Sequence, residues 1–329
     1  MLRSCPFRWL CCLAAGLPLL LPPSISRRTF AAALDQPQRE DLAGLTAPAL
    51  AGSQDNQLNQ LLRQKAWKQA AELAEGLAHQ YPGNPAYPFG LGVAKLSLTD
   101  PIGAIQAMRR AESLGLNSAQ LHINLGLAYY LINQYRLFRD QMTKAINLDA
   151  RKFEPHYYLG RYLELVLDDV AGALKSFEQA GDLSPNDPRI WYHKGYCYKA
   201  LGRQAEAQGA FEKAIELGQK DDEHFSLPFQ GMAQVLAETD PERALQFARQ
   251  AVEREPNLES NHLVMAKVYE RMGKLAESAA ELQTAIKLDP SDASPRFLSF
   301  RIYTRLGNEQ AAKAALDDFK KVSQLYGSE

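Results

Sequence analysis

Acidic residues are missing from the first 34 positions of this 329-residue chain, although that stretch carries Arg3, Arg8, Arg27 and Arg28. Cysteine is scarce. Of four in the chain, Cys5, Cys11 and Cys12 fall within the same acid-free start. Once residues 1–33 are removed Cys197 stands alone, which excludes an intrachain disulfide. No long Val/Ile/Thr-rich run is present, so a large sheet is not expected. A surplus of one charge is absent too: 37 basic against 38 acidic side chains gives a net charge of -1. Nucleic acid is therefore not an expected partner, since phosphate binding calls for a concentrated basic surplus. The chain also lacks a phosphate-cradling glycine loop, HExxH and GxSxG, and past residue 33 it has no CxxC. No catalytic residue, metal or cofactor is assigned, and an enzyme is not expected.

What is present is a soluble, folding composition, with 46% hydrophobic and 23% charged residues. Arg3 and Arg8 precede an apolar stretch, Trp9 to Leu21, and small residues follow at Ser24 and Ser26. A basic start, a short apolar core and small residues after it read as a secretory signal peptide over 1–33. Cleavage fits after Ser26 or after one of Ala31 to Ala33. As a helix the apolar stretch rises only about 20 Å, short of a bilayer core, so no integral span is expected in the mature chain. The acid-free, Arg- and Ser-containing start leaves a mitochondrial presequence as the alternative. Removing residues 1–33 takes away four arginines and no acid, so the net charge falls from -1 to -5. Residues 34–50, rich in Gln, Ala, Pro and Gly, read as a linker.

The rest of the chain is periodic. In 188–221, Trp191, Gly195 and Tyr198 lie at i, i+4 and i+7 on one helical stripe, Gly202 stops that helix, and Ala207, Phe211, Ala214 and Ile215 mark a second. The second-helix alanine recurs at Ala111, Ala145, Ala180, Ala214, Ala251 and Ala285, and the first-helix glycine at Gly92, Gly126, Gly160, Gly195 and Gly231. Asp100-Pro101 and Asp240-Pro241 replace the stop glycine twice, where Asp caps and Pro fits the first helical position. Asp222-Glu223 interrupts the register.

These residues resemble the tetratricopeptide repeat family, which places Trp, Leu, Gly and Tyr on a first helix, Ala, Phe and Ala on a second, then Pro. Here Lys194 stands in place of the Leu and Gln219 in place of the Pro. Eight units are expected over 51–326: 51–84, 85–118, 119–152, 153–187, 188–221, 224–258, 259–292 and 293–326. The first and last depart most from the pattern, as caps do. The resemblance implies an all-α solenoid of sixteen helices wound into a right-handed superhelix. A hairpin cannot bury its stripe alone, so each unit stacks on the next.

His122, His156 and His262 share the repeat position of Trp191. Copies one repeat apart are too distant to share a metal, so a packing role is expected. Cys197 falls at an inward-facing position and is expected to be an inert buried thiol. One residue round from the packing stripe lies the face that, in the resembling family, lines a concave groove. It carries Tyr192, Tyr196 and Lys199; Tyr157, Arg161 and Glu164; Leu263, Lys267 and Glu270 beside Arg271; and Phe297, Arg301 and Arg305. Arg189 is added from the start of its helix. Units two and three offer Phe89, Val93, Leu96, Ile123, Leu127 and Tyr130 instead. Tyr and Arg are enriched where binding energy concentrates, although long amphipathic side chains also simply cover a wall. The expectation is an exported scaffold, periplasmic or secreted, that binds a peptide segment of another protein in this groove. The alternative is an assembly factor for secretion, pilus or polysaccharide-export machinery.

Overall fold

The computed structural model describes residues 53–218 and 225–326. The expected signal peptide and linker, and the interruption at Asp222-Glu223, lie outside the described residues. Within them the chain is all-α, with sixteen helices and no strand. The helices pair as successive antiparallel hairpins. The first four pairs are α1 (Ser53–Arg63) with α2 (Trp67–Gln80), α3 (Ala86–Ser97) with α4 (Pro101–Ser113), α5 (Ala119–Leu131) with α6 (Tyr135–Leu148), and α7 (Glu154–Leu165) with α8 (Val170–Leu183). The remaining four are α9 (Pro188–Ala200) with α10 (Gln204–Gly218), α11 (Leu227–Leu236) with α12 (Pro241–Arg254), α13 (Glu259–Arg271) with α14 (Leu275–Leu288), and α15 (Ser294–Arg305) with α16 (Glu309–Tyr326).

Helix starts follow local chemistry. Asp100, Asp169 and Asp240 each accept a hydrogen bond from the backbone N–H three residues on, at 2.8, 2.9 and 3.1 Å. Helix stops are more uniform than the glycines suggest. Seven of the eight turns inside the hairpins pass through a left-handed residue: Lys65, Thr99, Asn133 and Asp168 in four, Gly202, Gly273 and Gly307 in three. The glycine turns carry the strong sequence signal for that conformation, Asn133 and Asp168 a weaker one, and Lys65 and Thr99 none. Close approach within a hairpin rests on the first-helix glycine. A Cβ placed on Gly195 would fall 2.7 Å from the Phe211 ring, and one on Gly160 would fall 2.8 Å from the Phe177 ring.

Each hairpin then packs on its neighbours: α10 touches α11, α12 touches α13, and first helices also meet across units, as α9 does α11 and α11 does α13. The core is consequently a ribbon running along the stack. One stretch of it extends from Leu58 to Cys197, the next joins Ala207 to Val268, and the last joins Ala266 to Ile302. The repeated alanines Ala111, Ala145, Ala180, Ala214, Ala251 and Ala285 are all fully buried, as the repeat requires. A buried polar clasp ties α11 to α13. Gln230 donates to the Asn261 side-chain oxygen at 2.6 Å, while the Asn261 amide donates to the carbonyls of Ala251 and Glu255.

Candidate protein-interaction wall

At Trp191, His262 and His122 the shared position ties the hairpin to the turn before it. Trp191 Nε1 donates to the Pro185 carbonyl at 2.7 Å. His262 Nε2 lies 2.9 Å from the Pro256 carbonyl, the same six residues back, and its Nδ1 lies 2.7 Å from Glu281. His122 sits between Asn117 and Gln141. Among the described residues no group of three or more His, Cys, Asp or Glu side chains is placed to hold a metal ion. Cys197 is buried, and burial pushes its thiol well above the ordinary range.

The inner wall is built from the first helices, and its character changes along the stack. On α3 and α5 the wall side chains are closed off: Phe89 and Ile123 are 0% exposed, Val93 and Leu96 1%. On α7, Tyr157, Arg161 and Glu164 are likewise buried. Arg161 Nη1 donates to the Tyr157 hydroxyl at 3.3 Å, and its Nε lies 3.9 Å from Glu164. The same carboxylate is 3.0 Å from His193 Nδ1. His193 was not among the expected residues. It stacks on Phe177 at 4.9 Å and 13°, and burial holds its pKa below the usual imidazole value, with Glu164 opposing that shift.

The wall opens at α9. Tyr192 meets His193 edge-on and packs near Phe211, while Lys199 lies 5.1 Å over the Tyr196 ring. Lys199 Nζ also donates to the Gln234 side chain of α11. Desolvation lowers Lys199 to about 8, with a further push from the like charge of Lys267 two units away. Arg189 grips Asp187 through two contacts, at 2.9 and 2.5 Å, and lies 5.4 Å over the Tyr157 ring. Burial opposes both charges, raising Asp187 to about 6 and lowering Arg189 to about 10.

Farther along, Lys267 is exposed and has no hydrogen bond or ion pair among the described residues. Arg301 and Arg305 are exposed too, but both turn onto Glu270, at 2.9 and 3.1 Å. Arg271 reaches Glu238 of the preceding unit at 2.5 Å. Phe297 packs toward the end of the stack, 5.2 Å from Phe319. The expected residues therefore divide. Tyr192, Tyr196 and Lys199 are half-buried and Lys267 is exposed, Arg271, Arg301 and Arg305 are bound to the scaffold's own acids, and Tyr157, Arg161 and Glu164 form a closed cluster with His193. Gln234, Glu238 and His193 were missed because each belongs to a different unit from its partner, and a repeat-by-repeat reading carries no signal for such pairs.

A solenoid of stacked helix hairpins with an aromatic and basic inner wall is the architecture of a protein-interaction module. Tetratricopeptide repeat family models match residues 167–227 and 260–292, so these stretches of the stack are tetratricopeptide repeats. Over 229 residues it is 26% identical to Tetratricopeptide repeat protein 37 of Xenopus laevis, a match covering 67% of this chain and 14% of that protein. It thus spans only a small part of that relative's length. It is 29% identical over 103 residues to the Lipoprotein NlpI homolog of Haemophilus influenzae, covering 31% of this chain and 32% of the relative. Among solved structures, the Cut9-Hcn1 hetero-tetramer of the APC/C aligns with a TM-score of 0.65 at 13% identity, over 84% of this chain and 51% of that one. That likeness shows the fold. No helix among the described residues is long and apolar enough to cross a membrane.

Proposed function

We propose that this chain is an exported, non-enzymatic scaffold that holds an extended or helical peptide segment of another protein along the wall of α9, α11, α13 and α15. The observation that carries the reading is the open stretch from Tyr192 to Lys267. Its aromatic rings supply area to bury, and two lysines face the same side. Lys199 and Lys267 then donate charge-assisted hydrogen bonds to acidic groups of the bound segment. Arg301 and Arg305 add less, because they must first leave Glu270.

Export is supported by the sequence of residues 1–33, and a periplasmic or secreted location follows from it, with the mitochondrion as the alternative. Similarity to a lipoprotein homologue favours the cell envelope, and there a role in assembling secretion, pilus or polysaccharide-export machinery is the second reading. Co-purification with membrane fractions supports that role, and a freely soluble monomer in fractionated cells argues against it.

The test places a photo-reactive side chain at Tyr196 in the native cell and identifies the cross-linked segment by mass spectrometry. A peptide of that segment is then titrated against Lys199→Glu/Lys267→Glu. The double reversal is expected to weaken binding tenfold or more, about 1.4 kcal/mol, with helicity unchanged. Undiminished affinity removes the groove reading.

A further inference from the structure

The turn into α5 is built from other parts than the turns into α9 and α13. Leu116 stands six residues before His122, where Trp191 and His262 have Pro185 and Pro256, and Gly115 before it is left-handed, with φ 94°. His122 is buried, with Gln141 at 2.6 Å and Asn117 at 2.9 Å, and its imidazole is smaller than the Trp191 indole of α9. Between this turn and the last turn of α6 lies a cavity of about 440 Å³. That volume is within the range of small-ligand sites.

Its lining comes from two hairpins. Glu112 and Asn117 reach it from the end of α4 and the turn, Lys144 and Asn147 from α6, and Leu116 and Leu148 add apolar surface. Each polar group keeps bonding capacity. Arg109 takes Glu112 Oε2 at 2.5 Å, which leaves Oε1. The Asn117 side-chain oxygen faces His122, which leaves its amide N–H groups. Lys144 and Asn147 make no side-chain hydrogen bond or ion pair among the described residues. The carboxylate and the ammonium thus stand on different hairpins without meeting, and their charges cancel. A ligand that is neutral overall, yet carries one ammonium and one carboxylate, satisfies both. Glu112 lies in the last turn of α4, and the negative end of that helix adds to the preference for an ammonium there. We propose that this cavity binds a small zwitterion, a free amino acid or dipeptide with an apolar side chain. Its ammonium meets Glu112, its carboxylate meets Lys144, its side chain lies on Leu116 and Leu148, and Asn117 and Asn147 bond the groups between. The site lies outside the wall of α9 to α15 and does not depend on the peptide-binding reading.

The probes are leucine and the dipeptide Gly-Leu, titrated calorimetrically against the full chain to about 10 mM, tenfold above a millimolar dissociation constant. Saturable binding is expected, and the tighter of the two tells amino acid from dipeptide. The same ligand with its carboxylate amidated, or with its ammonium acetylated, should bind at least about tenfold more weakly. Lys144→Gln should weaken the unmodified ligand by about the same factor. It should leave the amidated ligand as it was, since the charge that Lys144 meets is already gone. Lys144 is exposed, so this variant is expected to keep the parent's helicity. Lys175→Gln, exposed on α8, and Lys199→Glu/Lys267→Glu on the inner wall should leave the binding unchanged. No saturable binding of either probe overturns the proposal. Equal binding of modified and unmodified ligands overturns it too, as does binding that Lys144→Gln leaves unchanged.

Discussion

An alanine at Gly195 would set its methyl 2.7 Å from the Phe211 ring, whereas one at Gly209 would meet nothing within 4 Å. Both glycines are helical and both substitutions gain about 1 kcal/mol of helix propensity. At Gly209, which is exposed on α10, nothing opposes that gain, so Gly209→Ala should raise the melting temperature. At Gly195 the ring must shift inside a packed hairpin, and overpacking of that kind costs about 1–3 kcal/mol. Gly195→Ala is therefore expected to destabilise on balance, and paired thermal melts of the two variants check the sign of each. The register of Gly195 with Ala207, Phe211 and Ala214 was legible in the sequence because sterics repeat every unit. The left-handed turns at Lys65 and Thr99 were not, since neither residue type favours a positive φ, and Asn133 and Asp168 carry only a weak preference for it.

At the scale of elements, the joints between hairpins carry polar groups that a single unit does not reveal. Arg301 and Arg305 look free on α15 until α13 brings Glu270 between them. Glu259, the first residue of α13, shows the same dependence. A helix start favours a carboxylate, yet burial, reinforced by Asp292 and Asp289, raises Glu259 to about 8 despite the opposing charge of Lys267. One of its carboxyl oxygens is buried without a hydrogen-bond partner. The folded chain therefore holds a proton there that the unfolded chain releases near pH 4.5. A carboxyl raised on folding costs stability as pH climbs from its unfolded value through its folded one. Below about pH 4.5 Glu259→Gln should melt with the parent. Between about pH 4.5 and 8 it should gain progressively, and above 8 it should hold a melting temperature a few degrees higher. Equal melts at pH 9 would show that the joint hydrates Glu259 well enough to ionise it.

On the scale of the whole molecule, the architecture was readable from a period, but the division of the wall was not. Tyr157, Arg161 and Glu164 occupy the same repeat positions as Tyr192, Tyr196 and Lys199, and only the neighbours decide that the first set closes around His193 while the second stays open. Neighbour-only contact also governs how the stack comes apart. The last stretch of core joins Ala266, Ala279 and Leu282 to Leu298 and Ile302, and the two arginine bridges to Glu270 cross the same interface. Ending the chain at Leu288 removes α15 and α16, and with them every one of those contacts. Stability in such an array is a sum of unit and nearest-interface terms, so the loss should stay local. Amide hydrogen exchange is expected to quicken in α13 and α14 and to fade through α11 and α12. In α3 to α8, three hairpin interfaces or more from the new end, protection should match that of the full chain. A single cooperative unit would lose protection from α3 to α14 alike, and in that case the open wall and the closed wall would rise and fall in stability together rather than independently.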